Sequence, residues 1–139
     1  MQDPHAPDPH RGAVEREPVQ PRLRTPEEAA AIARAKARLD ALAWYPAPVR
    51  VGRVRILHTP WLFRLPWFRR FQGYTMWPLI LLSRPLASVS DDLIVHELCH
   101  VWQMQHRPLA MPLSYLWQGY RDNPHEIEAR AAAEQTQPD

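Results

Sequence analysis

The segment Asp91 to His106, DDLIVHELCHVWQMQH, restricts the fold more than any other part of the chain. Wound as a helix at about 100° per residue, it gathers Ile94, Val95, Leu98, Val101 and Trp102 on one broad arc. Asp92, His96, His100 and Gln103 fall on the opposite side, with Glu97 at the border. Such a helix must bury one face in a core. Leu93 and Met104 lie near the histidine face, so that face is not simply solvated either. Pro108 stops the helix just beyond its end.

The elements around it follow from local chemistry. TPEEAAAIARAKARLDALAWYP has Thr25 as N-cap, Pro26 at the first helical position and Glu28 to close a capping box. Ile32, Leu39 and Leu42 form its apolar stripe, and Pro46 and Pro48 end it. Val49 to Leu57 predicts a strand whose alternation slips phase at Gly52, as a β-bulge would make it. Tyr74 to Leu82 predicts a second strand, with Pro78 consigning part of it to a sheet edge. MPLSYLWQGY predicts a short helix, and NPHEIEARAAAEQ another, with Asn123 as N-cap and Pro124 at the first position. The sum is an α+β fold: a small twisted sheet of about three strands packed on an N-terminal helix and the histidine helix, then a C-terminal glutamate-bearing helix. The chain of 139 residues suits one domain over residues 25–139. Residues 1–24, with few apolar anchors, predict a disordered Pro-rich tail. A metal role for its His5 and His10 is not expected, because prolines deny them a regular scaffold.

Composition excludes several classes. Cys99 is the only cysteine, so no intrachain disulfide forms. Apart from Lys36, all the basic residues are arginine, and the net charge of +2 is too small to argue for nucleic acid by itself. The first residues, MQDPHAPDPHRGAV, lack the apolar stretch of a secretory signal. The longest apolar run, MWPLILL, falls far short of the ~20 residues of a transmembrane segment, so a cytoplasmic location is expected.

Histidines four apart on one helical face have Cβ atoms roughly 5–6 Å from each other, close enough for both imidazoles to ligate one ion. Zn2+ takes imidazole nitrogen at ~2.0–2.1 Å, and catalytic zinc sites use three protein ligands with one position left for water. His96 and His100 supply two, and Glu97, about 100° round from His96, would sit beside the ion as general base. Cys99 projects away from His100 and reads as a small semi-buried residue, and His106 points elsewhere. The third ligand has to come from another element, and NPHEIEAR offers Glu126 and Glu128. They stand ~200° apart on a helix, so only one can face the ion. Glu126 also has an ordinary reading, as capping-box partner of Asn123.

HELCH followed at modest distance by NPHEIEAR resembles the gluzincin group of zinc metallopeptidases, above all its small single-domain members, the minigluzincins. Bacterial domains with HEL-x-H-x-x-Q are similar too, and Gln103 matches that glutamine. The resemblance covers roughly residues 74–133. It implies Glu126 as the ligand glutamate, because Ala129 stands three residues after it, with Glu128 as the rival. It implies peptide-bond hydrolysis of a protein or peptide substrate, with Glu97 as base and a donor for the oxyanion. Tyr120 is the nearest candidate donor, with Tyr115 and Arg121 behind it, although Tyr115, Trp117 and Tyr120 also read as packing residues. In such enzymes the strand before the histidine helix borders the cleft and pairs with substrate; here that would be Tyr74 to Leu82. The chain departs from the pattern at Arg130, where the family usually has an acid that orients a ligand histidine. Asp92 or Asp122 would have to replace it.

Two other classes remain open. One is a metal-binding accessory domain without catalysis, which would have no need of Glu97. The other is a nucleic-acid-binding module, since RVRILHTPWLFRLPWFRRF interleaves arginine with Trp and Phe. An amphipathic strand and loop explain that stretch more simply. A weaker option is a Trp-rich patch that docks on a membrane surface or a partner protein.

Overall fold

The computed structural model describes residues 24–139, so the expected tail and its His5 and His10 lie outside the described residues. Arg24, assigned to the tail, is tied to the domain: its guanidinium donates to the carbonyl oxygens of Val51 and Val54.

The fold is α+β, with four α-helices and a three-stranded mixed sheet among the described residues. Helix α1 is Pro26–Asp40 and strand β1 is Arg55–His58. Strands β2, Gly73–Met76, and β3, Leu79–Leu82, form a hairpin. Helices α2, Asp91–His106, α3, Ala110–Gln118, and α4, Pro124–Gln135, complete the chain. The strand order is β1-β3-β2, with β1 parallel and β2 antiparallel to β3. Among the described residues no helix is long and apolar enough to cross a membrane.

Both predicted strands need correction. Val49 to Leu57 is not one bulged strand. Val54 N–H donates to Val51 C=O in a turn that contains Gly52, and pairing begins only at Arg55. Val49 and Val54 are both buried, so the phase slip is real, but a turn makes it. Tyr74 to Leu82 is likewise two strands. The chain reverses at Trp77–Pro78, joined by a cis peptide, and pairs Met76 with Leu79 and Gly73 with Leu82. The strand immediately before α2 is therefore the central one, and β2 is an edge.

Helix α2 is the centre of the domain. Ser90 caps it, with Oγ accepting from Leu93 N–H at 3.2 Å, and Asp91 and Asp92 favour its positive end. Ile94, Val95, Leu98, Val101 and Trp102 are buried with Ile32 and Leu39 of α1 and Ile56, Ile80 and Leu82 of the sheet. Thr25 caps α1 as expected, its Oγ1 accepting from Glu28 N–H at 3.1 Å. The Glu28 carboxylate does not turn back to close the box. It accepts from Arg55 Nε and Ile56 N–H, both at 2.9 Å, and so stitches α1 to β1. On the other side of α2, Ala129, Ala132 and Ala133 are buried, and such small side chains bring the α4 backbone close. Arg38 fastens the three helices together, donating to Asp92 at 2.7 Å, to Ala133 C=O at 2.8 Å and to Thr136 Oγ1 at 2.9 Å.

Candidate metal centre

The seam between α2 and α4 carries the site. Asn123 caps α4, its Oδ1 accepting from His125 N–H at 2.9 Å, and Pro124 follows at the first helical position. Glu126 forms no capping box. Its side chain, 2% exposed, turns inward to the histidines of α2. Glu126 Oε1 lies 2.6 Å from His96 Nε2, and Oε2 lies 3.0 Å from His100 Nε2. One ligand atom from each of the three residues lies within 4.8 Å of the others. The rival Glu128 points elsewhere: it accepts from the Tyr45 hydroxyl and from Gln103 Nε2, the latter at 3.4 Å.

The histidine face of α2 is covered rather than wet. His100 is buried and Gln103 wholly so. Cys99, expected to be semi-buried, is fully buried, and burial pushes its thiol pKa up. His106 is remote from the site, stacked on Tyr45.

Gln103 takes the orienting role that neither candidate aspartate fills. Its Nε2 donates to His125 C=O at 2.7 Å, which aims Oε1 at His100 Nδ1, 2.8 Å away. A carbonyl oxygen only accepts, so Nδ1 must carry a proton. Nε2 then meets Glu126 either as the second N–H of an imidazolium or as a lone pair offered to a cation. A proton and a metal ion thus compete for one position. Burial opposes charge on His100, yet Glu126, Glu97 and Gln103 together hold its pKa above the ordinary value. The same pairing outweighs burial at Glu126 and keeps its carboxyl well below the usual range. Asp92 is engaged by Arg38 and by Gln137 Nε2, both at 2.7 Å, and no contact joins Asp122 to either histidine among the described residues. Arg130, exposed at the rim of the site, donates to Arg121 C=O at 2.7 Å.

Glu97 is buried one residue beyond His96 and is held from the sheet. The Thr75 hydroxyl on β2 lies 2.7 Å from Glu97 Oε2 and 3.0 Å from Glu97 C=O, and shares its proton between them. Two residues earlier, on the same face of the strand, Gly73 leaves room for the carboxylate. A Cβ there would stand 3.0 Å from Glu97 Oε1.

Two cavities meet at this point. One, of about 430 Å³, includes His96, Glu97 and Glu126 with polar walls from Gln72, Asp92 and Arg130. The other, of about 530 Å³, includes Glu97, His100 and Glu126 and is walled by Trp67, Trp77 and Met111. Tyr120 lines both cavities. Tyr115, however, makes the resolved contact, its hydroxyl donating to Glu126 Oε2 at 3.2 Å. Burial, then the charge of Glu126, raises the pKa of both phenols, so both stay donors. Gly119 allows Tyr120 to reach the site. It ends α3 at φ 68°, ψ −158°, a conformation open almost only to glycine.

The donor set suits a small divalent ion. An ion bound at ~2.0–2.1 Å in tetrahedral geometry spaces its ligand atoms about 3.3 Å apart, wider than the 2.6 and 3.0 Å between Glu126 and the two histidines and inside the 4.8 Å that encloses all three ligand atoms, so binding requires these side chains to readjust. Sequence reasoning missed the roles of Gly73 and Thr75, and placed Tyr115 behind Tyr120 as a candidate donor. Gln103 had a visible signal, three residues after His100 on the same face; Thr75, on another element, had none. No protein-family model matches the chain, and neither a curated protein nor a solved structure matches it.

Proposed function

We propose that the protein is a zinc-dependent metallopeptidase, in keeping with the gluzincin resemblance of HELCH and NPHEIEAR. The observation that carries this reading is the convergence of His96 Nε2, His100 Nε2 and the Glu126 carboxylate, with Glu97 lining both cavities that reach them. His96, His100 and Glu126 would hold the ion. Two imidazoles and one carboxylate favour zinc among the common divalent metals. When bound, zinc supplies Lewis acidity and lowers the pKa of water toward ~7.

The chain's own groups do the rest. Glu97 accepts a proton from the attacking water and returns it to the departing amine nitrogen. Thr75 keeps its carboxylate in one orientation through that exchange. Tyr120 is the donor we assign to the carbonyl oxygen of the scissile bond as charge builds on it. The free side of β2 borders both cavities and gives an extended peptide a backbone to pair with, while the aromatic cavity receives an apolar side chain. A purely structural metal module has no use for a buried carboxylate held beside the ligands, and for that reason we prefer hydrolysis.

The test loads purified protein with zinc, quantifies the metal by mass spectrometry and follows cleavage of fluorogenic peptides and an unfolded protein. Wild type should cleave, and Glu97→Gln should keep its zinc and lose at least ~100-fold in rate. Cleavage by Glu97→Gln at the wild-type rate, or stoichiometric zinc with no cleavage by wild type, rejects the reading.

A further inference from the structure

We propose a second property, independent of catalysis: the face formed by α3 and the β1–β2 loop docks on an anionic lipid surface. Helix α3 is apolar on both sides. Met111 is buried, yet Leu109, Leu113, Leu116 and Trp117 form an outward stripe, with Trp117 84% exposed. A helix apolar all round belongs in an apolar environment, and none of the described residues covers this one. The β1–β2 loop repeats the pattern, with Trp61, Leu65 and Trp67 exposed. The two regions belong to one surface. Trp67 and Trp77 line the aromatic cavity opposite Met111 and Pro112, and Phe71 packs on Tyr120 with ring centroids 4.6 Å apart.

Charge identifies the occupant. Residues 41–90 and 98–121 contain no Asp or Glu. They carry nine arginines, of which Arg64, Arg69 and Arg70 lie in the β1–β2 loop and Arg107 and Arg121 flank α3. The acids of the described residues are confined to α1, α2, α4 and the segments that flank α4, where Asp122 and Asp139 lie. A near-neutral chain has therefore separated its charge and set its cationic part among Trp and Leu. Trp at the headgroup level, Leu in the acyl boundary and Arg against phosphate make the composition of an interfacial membrane surface. Nucleic acid would use the arginines and tryptophans but gives four exposed leucines no partner. A second copy would set one arginine stripe against another, because a two-fold interface is self-complementary. Docked in this way, the mouth of the aromatic cavity faces the bilayer, where apolar or membrane-anchored segments are concentrated.

The experiment uses the full chain with vesicles of phosphatidylcholine alone and of phosphatidylcholine with about one quarter phosphatidylglycerol, read by co-sedimentation and tryptophan fluorescence. The anionic vesicles should bind about tenfold more tightly than the neutral ones, and added salt should weaken the difference. The double variant Leu116→Glu, Trp117→Glu should lose about tenfold or more in partitioning while its thermal melt stays within a few degrees, since both side chains lie on the surface. Arg64→Gln with Arg69→Gln should lower binding to the anionic vesicles alone. No partition into anionic vesicles overturns the proposal. So does partition that neither variant changes, a dimer in sedimentation that the Leu116→Glu, Trp117→Glu variant dissolves, or binding of single-stranded DNA in place of vesicles.

Discussion

The two walls of the aromatic cavity are built on opposite plans. On one side, α2 and α4 close against each other with Ala129, Ala132, Leu98 and Cys99 in one core, and the polar groups His96, His100, Gln103 and Glu126 at their seam are paired, while the buried Nε2 of His125 has no partner among the described residues. Gln103 alone bonds to His100, His125 and Glu128. On the other side, α3 buries only Met111 and leaves Leu116 and Trp117 in solvent. A link of Asn123 Nδ2 to Ser114 Oγ at 2.9 Å ties α3 to the start of α4. The difference teaches where accuracy is required. Ligand donors tolerate little misplacement and sit on the rigid seam. The wall that meets a partner needs apolar area more than fixed geometry.

A matched pair of tryptophans gives the largest effect by which to break this comparison. Trp102 is 1% exposed, donates from Nε1 to Ala47 C=O at 2.8 Å and meets Tyr45 edge-on. Trp102→Ala should cost about 3–5 kcal/mol in chemical denaturation, enough to unfold a marginal domain. Trp117→Ala should change stability by no more than about 0.5 kcal/mol. Equal losses would mean that α3 belongs to the core and that the contrast between the walls is false.

A smaller effect sharpens the same contrast within the seam. Gln103→Leu keeps the volume but strips His125 C=O and His100 Nδ1 of their partners. It should cost about 1–3 kcal/mol, as unsatisfied buried groups do. With the tautomer of His100 no longer fixed, zinc affinity measured by chelator competition should fall about 10–100-fold. Wild-type affinity in a destabilised Gln103→Leu protein would show that Gln103 is packing alone.

These residues also show what a sequence displays and what it hides. The bounds of α2, the cap of α4 and the pairing of His96 with His100 on one face were legible because helical contacts are local, recurring every three or four residues. That the third donor is Glu126 and not Glu128 was open on the helical wheel. It is decided by how α4 lies against α2, which depends on the close approach allowed by Ala129, Ala132 and Ala133. The strands were misread for a related reason. Hydrophobic alternation at Val49 to Leu57 reports burial, and a turn whose carbonyls bond to Arg24 buries Val49 and Val54 as well as a ladder would. The run from Tyr74 to Leu82 keeps its alternation across a reversal at Trp77–Pro78. Thr75, which holds Glu97, was invisible because its contact joins residues 22 apart in the chain.

Gly73 offers the smallest change in stability and the finest test of how far the accuracy of the seam extends. It stands on β2, the edge that belongs to both cavities. Alanine fits its backbone, which has no positive φ, and regains about 0.5–1 kcal/mol of strand stability that glycine forfeits. Against that gain, the new Cβ would meet Glu97 Oε1 at 3.0 Å and Cγ at 3.2 Å, so strand or carboxylate must shift by a few tenths of an ångström. The net change in melting should be slight and zinc content unchanged, since neither His96, His100 nor Glu126 is touched. Turnover responds differently, because a displacement near 1 Å at a reacting group costs roughly 100-fold. Gly73→Ala should therefore lower kcat about 10-fold or more while KM and bound zinc stay near wild type. An unchanged kcat would mean that the edge strand gives way instead, and that β2 belongs with the adaptable wall rather than with the seam.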